Sequence, residues 1–331
     1  MGTPITIKGE IAKELLVRFP KAKTKSLAIK AYKENPSIFK DSEDARTCLR
    51  YHSGKLGKVS RIKADTSLHR PLNINLPEGD KPLDWTPIQL DVKNALILSD
   101  IHVPYHDRDA IMRALEYGVE KGMDSIYLNG DLCDFYQLSR WIRDPRMRDF
   151  AQEINMMRTF LKSLRDSFPE LPIWYKRGNH EERYDNYMKL KAPELMDVDD
   201  FQLERVLRLK EFDMQVVNNL QYVTIGQLPI MHGHEFGSRA YSPVNAARGF
   251  FLKGIESMLA GHSHQASSHT TKTLSDKVIG VWSTGCLCDL HPPYMPKNNH
   301  THGFAMVEVI DEHGRYLVDN KRIHDGIIYN V

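Results

Sequence analysis

From residue 93 to residue 178 the chain repeats one pattern, an apolar run, a polar turn and an amphipathic stretch: "NALILSD", "RDAIMRALEYGVEKG", "DSIYLNGD", "FAQEINMMRTFLKSLRDSF" and "LPIWYKRGN". Short apolar runs bounded by turn residues read as strands covered on both faces, and the longer stretches have helical spacing. The β-α-β-α-β order implies a largely parallel sheet with helices outside it. After residue 215 hairpins become more frequent. "LQYVTIGQLPIMHG" reads as two strands around Gly226-Gln227, "KVIGVWSTG" as another, and "GFAMVEVIDEHGRYLVDN" as a terminal hairpin. A second, more antiparallel sheet is therefore expected beside the first.

Polar residues able to do chemistry gather where these runs end. The first strand runs into Asp100-Ile101-His102, the second into Gly130-Asp131-Leu132-Cys133-Asp134, and the third into Gly178-Asn179-His180-Glu181. The hairpin strand ends in His232-Gly233-His234, and a helix expected near residue 258 leads into Gly261-His262-Ser263-His264. In parallel α/β sheets, sites collect at the carboxyl ends of strands, so segments far apart in sequence can converge. Each fragment alone is ordinary: Gly178-Asn179 makes a good turn because both residue types tolerate positive φ. Together they form a set of carboxylates, imidazoles and an Asn carbonyl that suits Mn²⁺, Fe or Zn²⁺ better than a closed structural zinc site. The donors are too many for one ion and enough for two adjacent ions sharing a carboxylate.

The sequence D-x-H, G-D-x-x-D, G-N-H-E, H and G-H-x-H, in this order, resembles the calcineurin-like metallophosphoesterase superfamily from residue 93 to about residue 312. The stretches "NGDLCDFYQLSRWIRDP" and "GNHEERYDNYMKLKAPEL" are also similar to phage-encoded members. The resemblance implies an α/β fold, a four-layer α-β-β-α sandwich of two mixed sheets. It implies two divalent metal ions, with Mn²⁺ expected first and Fe, Zn²⁺ or Ni²⁺ as alternatives. Asp100, His102 and His264 would hold one ion; Asn179, His232 and His262 would hold the other, and Asp131 would bridge them. His180 would stand beside the phosphate as proton donor to the leaving oxygen, with Asp134 orienting its ring. His234 stays open between a role near the metal and a surface place, His232 being the residue at the ligand position. The implied reaction is in-line attack on phosphorus by a hydroxide between the two ions, with no covalent phospho-enzyme.

"RGNHE" is also wording found in Ser/Thr protein phosphatases of the superfamily. Those enzymes continue G-D-x-x-D into Arg-Gly, however, and here Phe135-Tyr136 follows Asp134. The segment after Asp134 mixes Arg140, Arg143, Arg146 and Arg148 with Phe135, Tyr136 and Trp141, a composition able to grip a nucleic-acid strand by charge and stacking. Arg177, Arg183, Arg239 and Tyr241 also lie near the motifs. Of all these cations Arg140, Arg143, Arg183 and Arg239 are expected to bind substrate.

Three helices are expected before the sheets: "GEIAKELLVR", "KTKSLAIKAYKENP" ending near Pro36, and "DSEDARTCLRYHSGK" with Asp41 or Ser42 as cap and Gly54 as stop. Residues 1 to 65 carry fifteen Lys and Arg against seven Asp and Glu, about +8, although the whole chain is only +2. The expected organisation is a basic, possibly helix-turn-helix-like module over 1–65, a Pro-containing linker or arm over 66–92, and a metallophosphoesterase domain over 93–331. The leading functional expectation is a phosphodiesterase or nuclease whose basic helices hold nucleic acid. The alternatives are a phosphatase for nucleotides or small phosphate monoesters, and a DNA-binding protein with an idle phosphoesterase core.

No run of about 18 apolar residues exists to span a membrane. The start "MGTPITIKGE" has no secretory pattern, though Gly2 and Thr6 match the loose myristoylation motif. Cys48, Cys133, Cys286 and Cys288 offer no C-x-x-C pair and no disulfide framework, so a reduced, cytoplasmic setting is expected.

Overall fold

In the computed structural model, residues 6–65, 76–79, 85–140, 144, 146, 149–218, 220–237, 244–292 and 295–331 are described, those at 62–65 for their backbone only. The chain divides into two compact units, Met1–Asp80 and Lys81–Val331.

In the first unit, α1 (Ile7–Arg18), α2 (Thr24–Glu34) and α3 (Ser42–His52) are the helices expected from the spacing. Asp41 caps α3 by accepting the N–H groups of Glu43 and Asp44, and Gly54 follows with φ 75°. A fourth helix, α4 (Gly57–Asp65), follows where the sequence showed only a string of cations. Ala12, Leu15, Leu27, Ala28, Ala31, Phe39, Ala45 and Leu49 form a small core of their own.

The second unit runs β1 (Ile88–Leu90), β2 (Asn94–Leu98), α5 (Arg108–Glu120), β3 (Ser125–Asn129), α6 (Phe150–Ser167), β4 (Ile173–Lys176), α7 (Glu182–Lys191), α8 (Leu203–Val206), β5 (Met214–Val217), β6 (Val223–Ile225), β7 (Leu228–Met231), α9 (Ala246–Gly254), β8 (Met258–Ala260), β9 (Ser267–Lys272), β10 (Val278–Ser283), β11 (His302–Val309), β12 (Tyr316–His324) and β13 (Ile327–Asn330). A seven-stranded sheet has the order β13-β12-β11-β2-β3-β4-β5, and a six-stranded sheet the order β1-β6-β7-β8-β10-β9. Strands β2 to β5 are mutually parallel, whereas β11, β12 and β13 extend the sheet antiparallel. The six-stranded sheet mixes the parallel pairs β1/β6, β7/β8 and β8/β10 with antiparallel β6/β7 and β9/β10.

The period-2 alternation of strands distributes apolar side chains to both faces. Ala95, Ile97, Tyr127 and Trp174 point between the sheets, where Val223, Ile225, Leu228, Ile230 and Leu259 of the second sheet meet them. Leu96, Leu98, Ile126, Leu128, Ile173 and Tyr175 point the other way, against Ala114 of α5, Met157 and Leu161 of α6, and Met188 of α7. Helix α9 covers the far face of the six-stranded sheet with Ala246, Ala247 and Phe250. The result is the expected four-layer α-β-β-α sandwich of two mixed sheets.

Three expectations are corrected here. Residues 88–90, placed in a linker, form β1 and pair in parallel with Val223–Ile225. The residues before Gly261 are not a helix: α9 ends at Gly254, and β8 carries the chain into Gly261-His262. The terminal hairpin gains a third strand, β13. Short strands such as β1 and β8 are too brief to show a period, so only their pairing partners define them.

Candidate metal centre

Strands β2, β3, β4, β7 and β8 all release the chain at the same end of the sandwich. Backbone bonds join these exits: Asp100 N–H donates to Gly130 O (3.2 Å), His102 N–H to Asp131 O (3.0 Å), and Gly261 N–H to His232 O (2.8 Å). The Glu181 carboxylate closes the set from beneath. It accepts the N–H groups of Asp131 (3.2 Å), Leu132 (3.0 Å), Cys133 (3.0 Å) and Gly178 (2.7 Å), and the Tyr175 hydroxyl (2.9 Å). Gly178 is required by contact, since a Cβ there would lie 2.3 Å from Asp131 Oδ1 and 2.5 Å from its backbone nitrogen. Asp100, His102, Asp131, His262 and His264 all adopt left-handed backbone conformations, with φ between 51° and 63°. Side chains that would diverge from an extended exit are thereby turned towards one another.

The side chains converge closely. His102 Nε2 lies 3.1 Å from His264 Nε2, and His264 Nε2 lies 3.3 Å from Asp100 Oδ1. On the other side His232 Nε2 is 3.2 Å from Asp131 Oδ2, which is also 3.9 Å from His102 Nε2 and from His180 Nε2. His232 donates through Nδ1 to Asn129 O (2.7 Å), so Nε2 is the nitrogen turned to the centre. Donor atoms of Asp131, His232 and His262 form one compact group, those of His102, Asp131 and His180 a second, and those of His102, His264 and Cys288 a third.

Do these residues fit metal ions? Asp100 Oδ1, Asn179 Oδ1 and His232 Nε2 are buried with no hydrogen-bond partner. Orphaned acceptors of this kind are costly unless a cation completes them. Desolvation raises Asp100 and Asp131, but the surrounding imidazoles outweigh it and hold both carboxyls below the usual range. Desolvation opposes protonation of His232, yet Asp131 and Asp100 push it up to about 10; His262 is pulled down to about 3 by burial and by His232. Two buried carboxylates thus draw positive charge into the pocket, where a bound cation would take the place of the proton they favour on His232. The fit is good.

Asp134 stands between two rings, with Oδ1 3.2 Å from His102 Nδ1 and 3.3 Å from His180 Nδ1. Its backbone carbonyl accepts from His180 Nδ1 (2.8 Å) and from Arg183 NH1 (2.8 Å). Arg183 NH2 lies 2.8 Å from His180 Nε2. A guanidinium only donates, so Nε2 is the acceptor here and Nδ1 carries the proton. His234 is in none of these donor groups but lies beside one, its ring centroid 5.2 Å from that of His232 and 6.2 Å from that of His262; its ring nitrogens are each 3.6 Å from a carboxylate, Glu182 Oε1 and Glu235 Oε2, with no hydrogen bond.

The expected substrate cations are placed unequally. Arg183 reaches the centre, Arg140 is exposed at the end of the turn after Asp134, and Arg143 and Arg239 lie outside the described residues. Trp141, Arg148 and Tyr241 also fall outside them. Arg177 is occupied structurally by Asp185 and by Glu204 (3.4 Å). Phe135 is fully buried against Phe150 and Tyr184 and offers no free stacking face, while the hydroxyl of the half-buried Tyr136 accepts the Asp144 N–H (2.8 Å).

Sequence reasoning missed three supports. Glu153 of α6 accepts the N–H of Phe135 and fixes its left-handed turn, and burial pushes that carboxyl up to about 8. Lys176, fully buried, pairs with Glu235 at 3.0 Å, and Glu235 accepts the N–H groups of His232 (3.1 Å) and Gly233 (2.6 Å). Desolvation raises Glu235, but Lys176, His234 and His232 bring it down to about 2. The third is Cys288, which stands beside His264. The only sequence signal for it was its place just beyond the carboxyl end of β10.

The geometry agrees with a comparison of sequences, in which the model of the calcineurin-like phosphoesterase family matches residues 94–266. The chain belongs to the calcineurin-like phosphoesterase family. It is a metal-dependent hydrolase of phosphate esters. The gene 54 protein of Mycobacterium phage L5 is 27% identical over 252 residues, covering 69% of this chain and 98% of the relative. The gene 54 protein of Mycobacterium phage D29 is 28% identical over 180 residues, covering 52% and 69%. Among solved structures, vacuolar protein sorting 29 from Cryptosporidium parvum aligns at 11% identity and a TM-score of 0.40 over 72% of this chain and 96% of that one. The E. coli phosphoesterase YfcE aligns at 16% identity and a TM-score of 0.33 over 65% and 88%. Among the described residues no helix is long and apolar enough to cross a membrane.

Two substitutions test these supports. Glu181→Gln replaces an acceptor of five hydrogen bonds by a group with one acceptor oxygen, so stability should fall by about 2 kcal/mol or more in urea unfolding, with loss of bound metal. Lys176→Met leaves Glu235 buried and unpaired and should cost about 3–5 kcal/mol, whereas Lys176→Met with Glu235→Gln should recover most of that loss.

Proposed function

We propose that this chain is a two-metal phosphodiesterase acting on nucleic acid. What supports the two-metal reading is that Asp131 belongs to two donor groups, one with His232 and His262 and one with His102 and His180. Asp100, His102 and His264 would hold one ion, and Asn179, His232 and His262 the other. When bound, two divalent cations supply Lewis-acid activation of water and charge neutralisation on the phosphoryl oxygens.

The chain's own residues account for the remainder. Arg183 would take a non-bridging phosphate oxygen, and doing so would draw its guanidinium away from His180 Nε2. That nitrogen would then be free to carry a proton to the leaving oxygen, while the Asp134 carbonyl and carboxylate hold the ring through Nδ1. The buried position of Asp134 keeps this orientation fixed. A non-ionised substrate group could not displace Arg183 in the same way, so the arrangement favours an anionic ester.

Nucleic acid as substrate is supported by the first unit. Arg50, Lys55, Lys58 and Arg61 are all exposed along the end of α3 and the start of α4. A run of solvent-facing cations on one small helical unit suits the phosphate backbone.

The test begins with metal-free protein reloaded with Mn²⁺ or Zn²⁺ and offered a phosphodiester, a phosphomonoester, and single- and double-stranded DNA and RNA. Diester and nucleic-acid cleavage is expected; turnover of the monoester alone would establish the phosphatase reading instead. Neutralising Arg50, Lys55, Lys58 and Arg61 together should weaken nucleic-acid binding and flatten the log–log salt slope by roughly four, with small-diester turnover unchanged. His180→Ala should keep both metals and lose about 10²–10⁴-fold in turnover. Loss of metal in that variant would make His180 a ligand.

A further inference from the structure

We propose that Cys288 is a fourth protein donor to the metal centre built on Asp100, His102 and His264, and that its thiolate makes this centre one for zinc or iron while the other centre has only nitrogen and oxygen donors. The inference rests on the two-metal reading above and adds a ligand to it.

The placement is built into the backbone. The segment after β10 pairs with the loop that carries Asp100 and His102. Leu287 N–H donates to Asp100 O (3.0 Å), Asp107 N–H to Leu287 O (2.8 Å), and Asp289 N–H to Tyr105 O (2.8 Å). His106 and Cys288 form a bridge, and the Cys288 carbonyl lies 2.9 Å from His302 Nε2. Cys288 is therefore fixed on both sides before any ligand arrives, and it is buried.

The donors lie together around the His264 ring, with Cys288 at its Nδ1 edge and Asp100 and His102 at its Nε2 edge. Ligand atoms of His102, His264 and Cys288 all lie within 4.8 Å of each other. Cys288 Sγ is 3.9 Å from His264 Nδ1, while His264 Nε2 is 3.1 Å from His102 Nε2 and 3.3 Å from Asp100 Oδ1. Asp100 Oδ1 is fully buried and has no hydrogen-bond partner, so the cluster contains an acceptor that a cation would complete. Cys286, two residues earlier, also stands against Cys288 and the His264 side chain, with Sγ 3.7 Å from Thr301 O, but it is Cys288 whose sulfur joins the compact group with His102 and His264.

Chemistry then separates the two centres. A set of one sulfur, two imidazoles and a carboxylate matches zinc or iron, whereas Mn²⁺ prefers oxygen-rich sites and gains little from a thiolate. Asn179, His232, His262 and Asp131 contain no sulfur. Binding at the first centre releases the Cys288 proton to solvent as the Sγ–metal bond forms.

Cobalt reports on this directly. Metal-free full-length chain is titrated with Co²⁺, and bound cobalt is counted while the near-ultraviolet spectrum is recorded. Two cobalt ions per chain with a sulfur-to-cobalt charge-transfer band are expected. The band should vanish in Cys288→Ser and persist in Cys286→Ser. In Cys288→Ser the Zn²⁺ affinity of one site should fall about tenfold or more, with Mn²⁺ affinity little changed. In the unaltered chain Zn²⁺ should also shield Cys288 from alkylation, read by mass spectrometry, which does not depend on any variant folding. Two bound cobalt ions without the band, or a band that survives Cys288→Ser, would overturn the assignment and leave Cys288 as a neighbour of the His264 ring. Failure to bind two ions at all would instead remove the two-metal reading on which it rests.

Discussion

The carboxylate of Glu181 holds the centre together. Five donors converge on its two oxygens, four of them backbone N–H groups at the exits of β3 and β4. Consecutive N–H groups pointing into one concavity form a natural anion nest, and a buried carboxylate in it replaces many weaker contacts. Because those N–H groups belong to Asp131, Leu132, Cys133 and Gly178, the position of Asp131 and the turn into Asn179 are set by one side chain that is in none of the donor groups. The Lys176–Glu235 pair does the same across the two sheets, tying the end of β4 to the loop of His232.

Much of this was legible in the sequence because it rests on local pattern. Doubly covered strands make continuous apolar runs, and the residues just beyond β2, β3, β4 and β7 were identified for that reason. The capping of α3 by Asp41 was legible too, since a cap is a one-turn interaction. What escaped depends on partners distant in the chain. Strands β1 and β8 are three residues each and exist through their neighbours. Nothing in "LPIWYKRGN" marked Lys176 as buried opposite Glu235, and Phe135 looked like a stacking residue until α6 and α7 closed over it.

The thiol of Cys288 belongs to the same class. Spacing arguments look for cysteines near one another, and here the relevant neighbours, His102 and His264, lie on other loops. Only the pairing of residues 287–289 with residues 100–107 brings sulfur to the imidazoles. The substrate question divides along the same line. The centre explains phosphate-ester chemistry through its own atoms, and the basic helices belong to a separate compact unit with its own small core.

The left-handed backbone at Asp100, His102, Asp131, His262 and His264 has a cost that falls on the fold as a whole. An L residue in that conformation gives up on the order of 1 kcal/mol relative to glycine, somewhat less for aspartate. Glycine would remove that backbone cost, but at Asp100 and Asp131 it would also remove the carboxylates that accept from Ser99, His262 and His180. Domains of this kind hold only about 5–15 kcal/mol in total, so a noticeable fraction of what the sandwich could have is withheld by its own centre. Bound metal would return some of that margin, which makes the ions part of what keeps the protein folded as well as part of what it does.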